Sequence, residues 1–92
     1  DDAYPIQARG IVARVNAGEK IVGYKMGLTS KAKMEQMGLT TPIYGVLTNA
    51  MRFDSNQIFS LSDKIHPKAE PEIYFITNRE LKGSLTPQEA LE

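Results

Sequence analysis

The segment at residues 20–30, which reads KIVGYKMGLTS, decides how the chain around it is interpreted. Its first half contains β-branched and aromatic residues in a period-two pattern, which is typical of a β-strand. Gly23 and Gly27 indicate close backbone approach or the end of the strand. Ser30 is a good N-cap and a glycine follows residue 37, so a short helix is predicted at 31–37. A strand followed almost at once by a helix is therefore expected over residues 20–38.

The chain before this strand predicts a helix within residues 3–17. Pro5 is tolerated in a first turn, and the Asn-Ala-Gly run at 16–18 supplies a stop. Apolar or small residues recur there at helical spacing. They are Tyr4, Ala8, Ile11, Val12 and Val15.

The chain after the second helix is predicted to form a loop at 39–45 and then β-structure at 46–80. Within it, short antiparallel strands are expected at 51–53 and 57–61, because a polar Asp-Ser-Asn turn separates two apolar runs. Residues 69–77 alternate in character and predict a further strand.

The last segment carries a helix-start signal. Thr86 is a capping residue, Pro87 suits the first helical position, and Glu89 completes a capping box, so a helix begins within 86–92. A helix of about one turn is marginal in water on its own. We therefore expect residues 1–92 to be an incomplete domain of the α+β class.

Composition excludes several classes of protein. The chain has 92 residues, of which 41% are hydrophobic and 24% charged, which is typical of one folded domain. Eleven basic residues balance eleven acidic ones without a basic stripe, so no nucleic-acid partner is expected. The absence of cysteine removes thiolate metal sites and thiol nucleophiles. No apolar run or leader pattern indicates a membrane, and a cytoplasmic location is expected.

Glu70 and Glu72 form the most informative pair of side chains. On a strand both carboxylates lie on one face, where they can offer hard oxygen ligands to Mg²⁺ or Mn²⁺. The same pattern is also typical of two solvated glutamates. The apolar run at 73–75 favours the ligand interpretation, because charges that interrupt such a strand need a reason.

Lys25 is a second candidate, because it lies in an apolar, glycine-flanked strand. There its ammonium can be partly desolvated and act as an acid or base, although a lysine extending from an edge strand gives the same pattern. Leu28, Thr29 and Ser30 lead into a predicted helix N-terminus, whose amides can hold a substrate carboxylate. Every capped helix offers such amides.

Four segments in order resemble the 4-oxalocrotonate decarboxylase and 2-oxopent-4-enoate hydratase family, of the fumarylacetoacetase-like superfamily. They are residues 21–30 (IVGYKMGLTS), 32–38 (AKMEQMG), 41–45 (TPIYG) and 66–73 (HPKAEPEI). The resemblance implies a mixed β-rich core with short flanking helices, of which this chain holds a part.

The resemblance also implies residue roles. Glu70 and Glu72 match the metal ligands, and Lys25 matches an active-site acid/base or carboxylate-binding lysine. The third family ligand has no counterpart here. The expected substrate-binding residues are Leu28, Thr29, Ser30, Ile43 and Tyr44.

The activity implied is Mg²⁺- or Mn²⁺-dependent decarboxylation of 4-oxalocrotonate to 2-oxopent-4-enoate or its 2-hydroxydienoate form, in meta-cleavage degradation of aromatic compounds. Ile43 favours the decarboxylase, since hydratases tend to show an aspartate in this segment. A homo-oligomer and a complex with the partner hydratase are implied as well. The alternatives are the hydratase itself, an acylpyruvate hydrolase, and a truncated structural or assembly unit without activity.

Overall fold

The computed structural model describes residues 2–92 and has the α+β character that the sequence predicts. The chain divides into two units, one ending at Phe59 and the other spanning Ser60–Glu92. The elements in chain order are α1 (Ala3–Asn16), β1 (Ile21–Gly27), α2 (Lys31–Gln36), β2 (Ile43–Thr48), a short 3₁₀ turn (Asn49–Met51) and α3 (Pro87–Leu91).

The N-terminal helix and its stop are confirmed. After α1 ends at Asn16, the Gly18 N–H donates to the Val15 carbonyl at 3.0 Å. Gly18 has φ 101°, a left-handed conformation that costs glycine little because it has no Cβ. The chain can therefore reverse into β1 within a few residues.

The predicted helix after β1 is confirmed, with its cap. The Ser30 hydroxyl accepts a hydrogen bond from the Lys33 N–H at 3.2 Å, which satisfies one of the free amides of the first turn. Gly38 has φ 67° just past the end of α2, and the Leu39 N–H donates to the Met34 carbonyl at 2.8 Å. These bonds end the helix and direct the chain toward β2.

β1 and β2 form a two-stranded antiparallel sheet, in which Lys25 lies opposite Gly45 and Gly27 lies opposite Ile43. The predicted loop at 39–45 is thus wrong in its last part, because β2 already begins at Ile43. The physical reason is the partner strand. Because β1 extends to Gly27, its backbone can pair with β2 from Ile43 onward.

The two short antiparallel strands predicted at 51–53 and 57–61 are wrong, although the turn between them is confirmed. The Gln57 N–H donates to the Asp54 carbonyl at 3.1 Å, and the Asp54 N–H donates to Gln57 Oε1 at 3.0 Å. The rings of Phe53 and Phe59 meet edge to face with centroids 4.7 Å apart. An aromatic contact closes this loop where a strand ladder was expected.

The strand predicted at 69–77 is also wrong: no helix or strand is assigned there. A strand needs a neighbour for its backbone groups, and β-propensity largely reflects fit to a half-buried pleated surface. Ile73 and Ile76 are 88% and 83% exposed, so no such surface covers them.

The second unit contains α3, whose predicted start is confirmed. The Glu89 N–H donates to the Thr86 hydroxyl at 3.3 Å, and the Thr86 N–H donates to the Glu89 carboxylate at 2.7 Å. This is the reciprocal capping box expected from the sequence. The hydrogen bond from the Thr86 backbone is the main cause that lowers the pKa of Glu89.

Thr48 is the single fully buried side chain among residues 2–92, and no large apolar side chain in that range is buried. The sheet in the described residues has two strands, and the mixed β-rich core implied by the resemblance stays a prediction. No helix in the part of the chain that the structure describes has the length and apolar character needed to traverse a membrane.

Candidate active site

Lys25 lies on a face of the sheet whose nearest backbone neighbours are glycines. Residues directly opposite each other in an antiparallel pair share a face, so Lys25 lies on the same side as Gly45. Ile43 is two residues before Gly45 and therefore points to that side as well. The register thus brings together Lys25 and Ile43, two of the residues that the sequence predicts for the site.

Gly27 leaves room for Ile43 at the end of this face. A Cβ added at Gly27 would come within 3.1 Å of Ile43 Cγ1, which is closer than an ordinary van der Waals contact. At Gly23, in the same strand, an added Cβ would meet nothing within 4 Å. The need for glycine is therefore local to the Gly27–Ile43 contact.

The segment from Leu28 to Ser30 joins the Lys25 strand to α2. Leu28 has φ 52°, an uncommon conformation for a residue with a side chain, and it turns the backbone away from β1. The Ser30 hydroxyl is used by the cap of α2. A role of Leu28, Thr29 and Ser30 in substrate binding stays a prediction.

Tyr44 lies on the opposite side of the sheet from Lys25. It is next to Gly45 in the strand, and side chains alternate between faces. Its ring stacks on Tyr4 of α1 with centroids 4.6 Å apart, and Tyr24 meets it at 6.3 Å in an edge contact. The structure therefore separates Tyr44 from the Lys25 face and joins it to α1.

A polar cluster that the sequence analysis did not single out joins the ends of α1 and β2. Glu19 accepts hydrogen bonds from Arg14 at 3.1 and 3.3 Å and a short one from the hydroxyl of Thr48. The Thr48 hydrogen bond is the main cause that lowers the pKa of Glu19, and Arg14 adds to it. The available signal was an arginine and a glutamate on either side of the predicted stop at 16–18, which is weak by itself.

Glu70 and Glu72 lie in the second unit, on the exposed segment that the structure leaves without a strand. Without strand alternation, their orientation toward one side stays a prediction. Their carboxylates fit Mg²⁺ or Mn²⁺ by chemistry, since both ions prefer hard oxygen ligands. Residues 2–92 contain no group of three or more His, Cys, Asp or Glu that could hold a metal, so the two glutamates supply at most part of a coordination sphere.

Curated proteins similar to this chain carry two kinds of names. A 4-oxalocrotonate decarboxylase of Pseudomonas sp. is 42% identical over 98% of this chain and 35% of its own length. A 2-hydroxypent-2,4-dienoate hydratase of Pseudomonas putida is 43% identical over 90% of this chain and 38% of its own length. A further 4-oxalocrotonate decarboxylase of Pseudomonas putida is 48% identical over 89% of this chain and 31% of its own length.

The chain spans about a third of the length of these curated relatives. No family model matches the chain, and no solved structure matches it either. The class that the relatives define is that of decarboxylases and hydratases named for short unsaturated acids. Within it, this chain belongs to the family of the 4-oxalocrotonate decarboxylases and 2-keto-4-pentenoate hydratases, as the resemblance of its four segments predicts.

Proposed function

We propose that the chain is part of a metal-dependent decarboxylase that converts 4-oxalocrotonate to 2-oxopent-4-enoate or its 2-hydroxydienoate form. The observation that carries the proposal is the placement of Lys25 and Ile43 on one glycine-lined face in a chain 42% to 48% identical to decarboxylases. The meta-cleavage degradation of aromatic compounds is the metabolic context that we propose for it. Assembly with a partner hydratase belongs to the same proposal.

Glu70 and Glu72 are the residues that would hold Mg²⁺ or Mn²⁺. When bound, the ion would supply electrophilic polarisation of the oxo and carboxylate oxygens at one end of the substrate. Carboxylates suit this role because they leave positions of an octahedral ion open for a chelating acid.

Lys25 is proposed to supply the proton. In the reaction the C–C bond to the distal carboxylate breaks, carbon dioxide leaves, and the electron pair stays in the conjugated chain as an enolate. The Lys25 ammonium Nζ then gives a proton to the enolate oxygen, which yields the 2-hydroxydienoate. A cation beside the developing enolate also stabilises its charge.

Ile43 supports decarboxylation over hydration. A leaving carboxylate is helped by poor solvation, and an isoleucine beside Lys25 offers it no hydrogen-bond donor. Hydration needs a polar group that holds a water, and no such side chain stands at this position. Hydratase activity on 2-oxopent-4-enoate remains the second candidate, because a hydratase of Pseudomonas putida is 43% identical to the chain.

The metal assignment is tested by titrating Mn²⁺ into the chain and following the paramagnetic broadening of its backbone amide signals. We expect broadening centred on Glu70 and Glu72 and its loss in Glu70→Gln and Glu72→Gln. Glu80→Gln is the matched control, since Glu80 is an exposed carboxylate of the same unit, 3.1 Å from Lys82. Equal broadening in the parent and in both ligand variants would contradict the assignment.

The activity is tested by supplying the complete enzyme that contains this chain, with Mg²⁺, with 4-oxalocrotonate or with 2-oxopent-4-enoate and identifying the products by mass. The proposal expects loss of carbon dioxide from the first acid and no addition of water to the second. It also expects Lys25→Ala to remove turnover while the Mn²⁺ affinity stays within about twofold of the parent, because the lysine is not a metal ligand. Hydration of the second acid without decarboxylation of the first would favour the alternative.

A further inference from the structure

The helix α1 holds the outer edge of β2 through one side-chain amide. Gln7 Nε2 donates to the Tyr44 carbonyl at 3.2 Å, and the Val46 N–H donates to Gln7 Oε1 at 2.9 Å. A neighbouring strand would pair the same backbone carbonyl and N–H. Gln7 therefore takes the place of a strand at this edge, which otherwise would present unpaired backbone groups.

Tyr4 contacts the same stretch of β2 through a hydrogen bond and a ring stack. The Tyr44 N–H donates to the Tyr4 hydroxyl at 3.3 Å, while the two rings stack with an angle of 17° between their planes. Stacked aromatic rings prefer defined offsets, so this contact restricts sliding of β2 along α1. Two side chains one helical turn apart thus fix one short stretch of strand.

The residues held in this way flank the partner of Lys25. Tyr44 and Val46 lie on either side of Gly45, which is opposite Lys25 in the register. A shift of their backbone would move Gly45 and Ile43 relative to Lys25. Ile43 lies close to the Gly27 backbone, since a Cβ added there would be 3.1 Å from Ile43 Cγ1, so the separation of the two residues reports such a shift.

We propose that Gln7, together with Tyr4, is a positioning residue that sets where Ile43 lies relative to Lys25 and so sets the affinity of that face for a 2-oxo acid. Neither side chain needs to touch the acid, because both act through the backbone of β2. The proposal rests on the function proposed above for the Lys25 face. It adds α1 to the elements that determine the geometry of the site.

Three variants separate positioning from general stability. Gln7→Leu removes both hydrogen bonds at similar side-chain size, and Gln7→Glu keeps the acceptor for the Val46 N–H but removes the donor to the Tyr44 carbonyl. Tyr4→Phe keeps the ring stack and removes only the hydroxyl, so it still carries the test if Gln7→Leu does not fold. Arg9→Leu is the matched control, because Arg9 is an exposed residue of the same helix.

Two measurements are made on the full chain. The first, without ligand, is the nuclear Overhauser effect between Gly27 Hα and the Ile43 methyl groups, with hydrogen exchange of the Lys25 and Gly45 amides. The second is the affinity for 2-oxopentanoate in the presence of Mg²⁺. We expect Gln7→Leu to weaken the Overhauser effect, to speed exchange about tenfold and to lower affinity about fivefold, as loss of one or two hydrogen bonds implies. Tyr4→Phe should give smaller changes, Gln7→Glu should not restore the parent's values because a carboxylate oxygen then faces the Tyr44 carbonyl, and Arg9→Leu should give none.

The outcomes distinguish the two proposals. If Gln7→Leu and Tyr4→Phe keep the parent's Overhauser effect and exchange rates, the positioning role is overturned, whatever their affinity for 2-oxopentanoate. If they alter both while the parent itself does not bind 2-oxopentanoate, the positioning geometry holds and the proposed function fails. If affinity falls equally in Arg9→Leu, the effect is one of general stability and the positioning role is overturned.

Discussion

Glu19 connects the end of α1, the turn after it and the end of β2. Nothing in the sequence distinguishes it from the other glutamates. Its carboxylate is bonded to Arg14 and to the hydroxyl of Thr48, the fully buried residue. Next to it, the Lys20 N–H donates to Asn49 Oδ1 at 2.7 Å, and the Asn49 N–H donates back to the Lys20 carbonyl at 2.9 Å. These bonds fasten the end of the sheet that is remote from Ile43.

Acid should therefore loosen this end of the sheet. The Thr48 hydrogen bond, supported by Arg14, holds the pKa of Glu19 below its usual 4.5. Because the folded state lowers this pKa, the stabilisation is present above the unfolded value and is lost as the pH falls through the lowered one. We expect exchange of the Asn49 amide, corrected for intrinsic rate, to accelerate over that acid range.

A carboxyl-carbon titration of Glu19 checks the cause of this acid response. Thr48→Val is nearly isosteric and removes the hydroxyl, so the midpoint should rise toward 4.5. Arg14→Gln should raise it less, because Arg14 is the smaller cause. An unchanged midpoint in Thr48→Val would show that the hydrogen bond does not control the titration.

The β1–β2 pair allows a test at the scale of an element, because two of its glycines have different surroundings. Gly27→Ala places a Cβ 3.1 Å from Ile43 Cγ1, whereas Gly23→Ala meets nothing within 4 Å. We expect Gly27→Ala to lower the protection of the Lys25 and Gly45 amides, which face each other in the ladder, by about 1 kcal/mol, as mild overpacking does. Gly23→Ala should cost less or nothing. Equal effects of the two substitutions on amide exchange would mean that the close approach to Ile43 is not limiting.

Elements with local signals were predicted well, and elements that need a distant partner were not. Ser30 and Gly38 mark the two ends of α2 within a few residues, and Thr86 with Glu89 marks the start of α3. The beginning of β2 depended on how far β1 extends, which no local pattern reports. The β-prone residues at 69–77 form no strand, because no neighbour pairs with them in the described part of the chain.

The same distinction holds for the candidate site. Lys25 is a candidate because of its glycine-flanked strand and Ile43 because of the family resemblance, and their roles stay predictions. The sequence could not predict that Ile43 lies on the same face of the sheet as Lys25 and Tyr44 on the other. A one-residue change of register exchanges the two faces. The roles of Gln7 and Glu19 were equally hidden, because each depends on a backbone group or hydroxyl more than twenty-five positions away in the chain.

For the whole molecule, the decisive feature is how little apolar surface the described residues bury. Many large hydrophobic side chains are more than half exposed, among them Ile6, Tyr24, Ile58 and Phe75. Apolar burial is the main favourable term in folding, so little of it drives this chain into one cooperative state. The fold is held chiefly by the sheet ladder, the helix caps and the side-chain bonds at both ends of β2.

Unfolding of the chain in urea should therefore be broad. The slope of the unfolding free energy against denaturant scales with the surface exposed, and small proteins usually give about 1 to 3 kcal/mol per molar urea. With no large apolar side chain buried in residues 2–92, we expect a slope below about 1 kcal/mol per molar. Far-ultraviolet circular dichroism reports α1 and amide exchange reports β1–β2, and the two should lose structure at different urea concentrations. A single steep transition shared by both probes would contradict this expectation, because it would require a common buried core that joins the helix to the sheet.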